Sequence, residues 1–273
     1  MTKDVEGHLL IIGGAEDKEG ECTILKRFVK LAGGRKAVIA VITAATEAQD
    51  SVGEQYRALF SHLQAGEVRV LHVVNRGQAN DGSTIEAVRS ATGIYFTGGD
   101  QLRITSIVGG TALDDELKKS CRRGAVIAGT SAGASAMSDA MIIGGMGERE
   151  PKRSIVRMAP GLGLIQQAVI DQHFAQRGRI GRLLGAIAQN PYILGIGIDE
   201  DTAVEVDMAG VFKVVGSGSV TVLDGRSISI SDISETSSDQ PLALADVRLH
   251  VLPAGYMFDL TTRRPVSPPE EEE

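Results

Sequence analysis

The sequence has no tryptophan, only ten phenylalanine and tyrosine residues, five histidines and two cysteines among its 273 residues. Two cysteines are too few for a disulfide framework or a cysteine-only zinc site. Cys22 and Cys121 therefore read as reduced packing thiols, each inside a predicted helix. Long apolar runs are missing too. The first, Leu9 to Ile12, stops at a glycine pair, too short for a signal peptide, and nothing later reaches the length of a membrane span. These absences exclude a membrane partner and leave the cytoplasm as the expected compartment. Positive charge is scarce: 28 Lys and Arg against 35 Asp and Glu give a net charge of −7. With no basic run, nucleic-acid binding by phosphate neutralisation is excluded. Gly13-Gly14 and Gly109-Gly110 lack the lysine of a phosphate loop and the spacing of a dinucleotide fingerprint, so neither a nucleotide cofactor nor a metal is expected.

What is present is an ordinary globular balance, 42% apolar and 23% charged, with chain enough for a sizeable core. Short apolar runs that end in glycine or threonine alternate with amphipathic stretches. His8–Ile12, Ala37–Ile42, Val68–Val74, Gly93–Phe96 and Ala125–Ala128 read as buried strands. Apolar residues at helical spacing fall at Ile24, Leu25, Phe28 and Leu31, then at Val52, Tyr56, Leu59, Phe60 and Leu63, and again at Leu113, Leu117 and Cys121. Alternation of this kind predicts an α/β fold in three layers, helix on sheet on helix, around a mostly parallel central sheet. In such sheets chemistry gathers at the carboxyl ends of the strands. Beyond about residue 203, runs such as Phe212–Val215, Val220–Leu223 and Leu249–Leu252 follow one another without helices, which predicts a β-rich extension on the same core. One domain over residues 1–264 is expected, with residues 265–273 a disordered acidic tail.

The most informative segment is Gly129-Thr130-Ser131-Ala132-Gly133, a G-x-S-x-G turn between a buried strand and small residues that should open a helix. A serine on such a turn stands clear of the sheet, and the next N–H, that of Ala132, points to where an oxyanion would form. Ser135 and Ser138 would lie within the helix and lack that geometry. The serine needs a base. His8, His62, His72 and His250 sit in predicted strands or helices where a structural or surface role suffices. His173 ends the apolar run Ala168-Val169-Ile170 within Asp171-Gln172-His173-Phe174, which places it at the same carboxyl edge. A third member should be a carboxylate that orients the imidazole. The strand Leu194–Ile198 ends in Asp199-Glu200-Asp201, and spacing alone does not choose among these three.

Four motifs in order, Gly98-Gly99-Asp100-Gln101, Gly129-Thr130-Ser131-Ala132-Gly133, Asp171-Gln172-His173-Phe174 with Arg177, Arg179 and Arg182, and Gly197-Ile198-Asp199-Glu200, resemble those of the cyanophycinases. These belong to the serine peptidase group that includes the dipeptidase E type, on a class I glutamine-amidotransferase-like (flavodoxin-like) fold. The resemblance spans most of residues 7–260. It implies Ser131 as nucleophile, His173 as base, Glu200 as the orienting acid, and Gly99 beside Ala132 in the oxyanion hole. It also implies a cyanophycin substrate, a homodimer, and Gln101, Asp171 and Gln172 as substrate contacts. Arg179 and Arg182, three apart beside the apolar stripe Ile180, Leu183, Leu184 and Ile187, are expected to clamp substrate carboxylates with Arg177, unless they form a solvated basic face. The segment from Gly144 to Arg153 reads as a loop near the site. Competing readings are a dipeptidase E-like α-aspartyl dipeptidase and an inactive polymer-binding paralogue. Glutamine amidotransfer is disfavoured because the elbow carries serine where that chemistry uses cysteine.

Overall fold

The computed structural model describes residues 8–144, 156–237 and 240–266. The first half alternates strand and helix: β1 (Leu9–Ile12), α1 (Thr23–Leu31), β2 (Val38–Ile42), α2 (Gln49–His62), β3 (Glu67–Leu71), α3 (Gly82–Arg89), β4 (Gly93–Phe96), α4 (Gln101–Val108), α5 (Ala112–Arg122), β5 (Val126–Thr130) and α6 (Ala132–Ser135). Strands then dominate: β6 (Ala140–Gly144), β7 (Arg157–Pro160), β8 (Ala168–Gln172), α7 (Ile180–Gln189), β9 (Leu194–Ile198), β10 (Thr202–Val206), β11 (Val211–Gly216) and β12 (Ser219–Asp224). The last are β13 (Ile230–Ser231), β14 (Leu244–Ala245), β15 (Arg248–Pro253), β16 (Met257–Asp259) and β17 (Arg264–Val266).

Among the described residues nine strands form one large sheet, ordered β17-β16-β11-β10-β1-β5-β4-β2-β3. The five from β1 to β3 run parallel, and the rest are added antiparallel. Alternate residues of a strand face opposite sides of its sheet. Leu10, Ile12, Ile39, Val41 and Tyr95 therefore meet Leu25 and Phe28 of α1 and Tyr56 and Phe60 of α2. Leu9, Ile11, Ala40, Ile42, Ile94 and Phe96 meet Ile104, Leu117 and their neighbours on the other side. The three-layer α/β architecture is as the sequence implied.

The main departure is the place of β8 and β9. They pair parallel with each other in a second sheet, ordered β15-β12-β9-β8. Ile170, Ile196 and Ile198 of this sheet face the main core, while Val169 packs with Phe174, Leu183 and Ile187 under α7. The residues after these strands reach the rim from a sheet of their own. Other differences are smaller. Cys22 caps α1 in the left-handed conformation, φ 48°, instead of lying inside a helix, whereas Cys121 lies in α5; both are buried. The strand expected to reach Val74 ends at Leu71, so His72 lies beyond it. α3 and α4 were not anticipated. Ser138 falls outside the short α6, and β17 takes in Pro265 and Val266, which the sequence reading gave to the tail. The rest of the tail, and most of the loop expected from Gly144 to Arg153, lie outside the described residues.

Candidate active site

Ser131 sits between β5 and α6 with φ 53° and ψ −109°, a conformation a non-glycine residue adopts only when its surroundings impose it. The crowding explains both flanking glycines. A methyl group at Gly129 would lie 2.6 Å from the Gly133 carbonyl, and one at Gly133 would lie 2.6 Å from the carbonyl of Phe96. The elbow is thus pressed against itself and against β4. Ser135 and Ser138 are buried and donate their hydroxyls to the carbonyls of Ile170 and of Ser135 and Ala140.

The chain leaves β8 at His173, again with positive φ, 49°. Its backbone N–H donates to the Gly13 carbonyl at 2.8 Å, and its ring lies against Gly14, where a methyl group would meet the imidazole at 2.4 Å. Only a glycine fits there. The imidazole Nε2 lies 2.9 Å from Ser131 Oγ, and Nδ1 lies 2.7 Å from Glu200 Oε1. A carboxylate accepts, so Nδ1 carries the hydrogen and Nε2 offers its lone pair to the serine.

Glu200 is chosen over its neighbours by what those neighbours already hold. Asp199 accepts the Ala175 N–H and both the N–H and hydroxyl of Ser219. Asp201 accepts the Asp17 N–H and the Ser217 hydroxyl. These two acids pin the loop, and Glu200 between them, with its own N–H donating to Gln176 Oε1, is left to face the imidazole. Burial lowers the His173 pKa below the usual histidine value. The Glu200 hydrogen bond opposes that shift, and the positive charge of Arg177 adds to it.

Ala132 opens α6, so its N–H belongs to a helix's first turn and has no acceptor within the helix. Gly99, exposed after β4 with φ 145°, lies on the turn that faces the elbow; a methyl group at neighbouring Gly98 would stand 3.6 Å from the Ser131 Cβ. The remaining histidines lie elsewhere. His8 precedes β1 at the opposite edge, His62 ends α2, His72 follows the outermost parallel strand, and His250 on β15 packs 5.5 Å from the Phe258 ring.

Residues 9–214 match the model of peptidase family S51. The chain belongs to peptidase family S51. Among relatives of this S51 peptidase, the cyanophycinase of Geminocystis herdmanii (strain PCC 6308) is 40% identical over 98% of both chains. That of Trichormus variabilis (strain ATCC 29413 / PCC 7937) is 39% identical over 93% of this chain and 86% of its own. A solved peptidase from an acI-B1 Actinobacterium, 21% identical, superposes with a TM-score of 0.70 over 93% of this chain and 96% of its own, which speaks to the fold.

The arginines of this S51 peptidase divide in a way the spacing did not reveal. Arg177 is exposed. Arg179 and Arg182 are 8% and 6% exposed and close on Asp171, which is 1% exposed. Arg182 Nε donates to Asp171 Oδ2 at 2.9 Å and its Nη2 to Oδ1, while Arg179 Nη1 lies 3.2 Å from Oδ1 and 2.7 Å from Gln172 Oε1. The carboxylate they clamp is the chain's own, so they are neither a solvated face nor a free pair of substrate clamps. Burial, opposed by Asp171, lowers the Arg179 pKa to about 10. Gln101 at the start of α4 donates its amide to the Ile142 carbonyl at 2.7 Å. Passed over entirely was Glu16, a 4%-exposed carboxylate four residues past β1. Its position just beyond a carboxyl strand end was the available signal.

Proposed function

We propose that this S51 peptidase is a serine exopeptidase that hydrolyses cyanophycin, a polyaspartate whose β-carboxyls carry arginine, and releases β-Asp-Arg dipeptides. The observation that carries the reading is the hydrogen-bonded line from Ser131 through His173 to Glu200. Likeness to cyanophycinases over nearly the whole chain supports the substrate. His173 Nε2 takes the Ser131 proton as Oγ attacks a scissile aspartyl carbonyl. The N–H groups of Ala132 and Gly99 receive the oxyanion. The imidazolium, held by Glu200, then protonates the leaving amine, and water resolves the acyl-enzyme by the same route. Arg177 and Gln101 face the substrate; Asp171, Gln172, Arg179 and Arg182 brace the strand that delivers His173.

On this reading the single peptidase domain expected over residues 1–264 runs on through β17 to Val266, since the strands from β10 onward complete both sheets. The family pattern adds a cytoplasmic homodimer, which light scattering would report as twice the 28.8 kDa chain. No helix among the described residues is long and apolar enough to cross a membrane.

The test offers the purified protein cyanophycin and a set of Asp-X dipeptides side by side, with mass analysis of the products. β-Asp-Arg from the polymer, with little dipeptide cleavage, is the expected outcome. Rapid dipeptide cleavage with an untouched polymer would replace the reading with a dipeptidase E-type activity. Turnover of neither would favour a binding paralogue.

A further inference from the structure

The end of β1 and the two residues after it reach Ser131, His173 and the neighbour of Glu200 through consecutive carbonyls. Ile12 accepts the Ser131 N–H at 3.0 Å, Gly13 accepts the His173 N–H at 2.8 Å, and Gly14 accepts the Asp201 N–H, next to Glu200, at 2.9 Å. Three residues far apart in sequence are thereby referred to one short stretch of backbone. A shift of that stretch would move the serine, imidazole and acid relative to one another.

Sheet pairing holds Ile12, and the Gly13 N–H donates to the Thr202 carbonyl at 2.8 Å; beyond these, the stretch is tied down by Glu16. Its side chain is 1% exposed and lies at the rim of the apolar layer beneath α1 and α2. Oε2 accepts the Thr130 hydroxyl at 2.5 Å, and Oε1 accepts the hydroxyls of Tyr56 at 2.7 Å and Tyr95 at 3.0 Å. Lys18 Nζ stands 3.4 Å from Oε1 and 5.1 Å above the Tyr56 ring. The donors come from β4, α2 and β5, so the carboxylate joins the loop to three elements at once. Thr130 immediately precedes Ser131 in the chain. The tyrosine rings are locked in turn, packed with Phe28 and Phe60 at centroid separations of 5.2 to 5.8 Å.

We infer that Glu16 is a positioning residue for the catalytic line: it latches the Ile12–Glu16 segment to Thr130 and so sets the distance between the serine and the imidazole. A latch of this kind rests on the reading of Ser131 and His173 given above. It leaves substrate contacts alone and acts on the reactivity of Ser131. Displacement of reacting groups by about an ångström is enough to cost on the order of 100-fold in rate.

The experiment compares wild type with Glu16→Gln, Thr130→Val, Thr130→Ser, the Glu16→Gln/Thr130→Val double variant and Ser131→Ala. It reads kcat and KM on cyanophycin and, separately, the rate at which a small serine-directed fluorophosphonate labels Ser131. Glu16→Gln and Thr130→Val should each lower kcat by about 10- to 100-fold with KM within about threefold, and slow labelling in parallel. Thr130→Ser should recover most of the loss, and the double variant should fall no further than the worse single one, because both break the same link. Unchanged labelling and kcat in Glu16→Gln and Thr130→Val, or losses that simply add, would overturn the inference. Should Glu16→Gln fail to fold, the Thr130→Val and Thr130→Ser pair decides alone. Should wild type ignore cyanophycin, the substrate assignment fails, and the labelling rates still test the latch. If the reagent never modifies Ser131 in wild type, both fail.

Discussion

At the scale of single residues, the site turns on how the environment of one imidazole sets its protonation. On the proposed mechanism His173 must be neutral to accept the serine proton, and burial together with Arg177 lowers its pKa from the ordinary value of 6.5. The acid limb of kcat/KM should therefore have its midpoint below pH 6.5. Arg177→Ala removes a positive charge that disfavours the imidazolium, so the midpoint should move to higher pH, whatever happens to KM. A pH–rate profile of the two proteins checks the sign; an unmoved limb or a downward shift would contradict it. The same lowered pKa means that the unfolded chain binds a proton more readily than the folded one, so this residue's share of stability declines as pH drops through 6.5. Ser131 and His173 were legible in the sequence because each follows a buried strand and carries its chemistry in its residue type. Spacing alone did not separate Glu200 from Asp199 and Asp201, and only the family resemblance singled it out. The choice is made by amides of Ala175, Ser219 and Asp17, which arrive from other elements and capture the flanking acids.

At the scale of elements, β8 and α7 form a braced unit that presents His173. Helical spacing put Arg179 and Arg182 on one side of α7, but periodicity gives a direction and not a partner. The partner, Asp171, is eight and eleven residues away on a neighbouring strand. Asp171→Ala would leave two guanidinium groups buried without their carboxylate, and removing one side of such an arrangement costs about 3–5 kcal/mol. Arg182→Met keeps the length, and leaves Asp171 still paired with Arg179, so it should cost distinctly less. Urea unfolding of both variants checks the order; equal losses, or a loss below about 1 kcal/mol for Asp171→Ala, would contradict the bracing role. α3 and α4 escaped the sequence reading for a related reason. Each has eight residues, and α3 buries only Val88 as it runs over the surface. Their starts are marked instead by Asp81 and Asp100, whose carboxylates accept N–H groups of the first turn.

At the scale of the whole molecule, the strands past residue 203 hold the site together instead of hanging from it. β10 lies against β1, and β12 lies between β9, which leads into Glu200, and β15. Phe212 of β11 stacks on Phe258 of β16 at 5.4 Å. The β-rich character of this region was readable from its short apolar runs and turns. Its division between two sheets was not, because strand pairing is set by long-range contacts that local pattern does not encode. A chain ended at Gly216 would strip β12 and β15 from the strand that carries Glu200 and expose the Phe212 ring. It should lose cooperative thermal unfolding along with turnover, and a truncated protein that keeps both would show the extension to be dispensable.

The account stands or falls on the hydroxyl at position 131. Its most direct test is the rate of soluble dipeptide release from cyanophycin by Ser131→Ala beside wild type, with circular dichroism to confirm that both are folded. A folded variant slowed by several orders of magnitude is the expected result. A folded variant that degrades the polymer at near wild-type rate would contradict the mechanism.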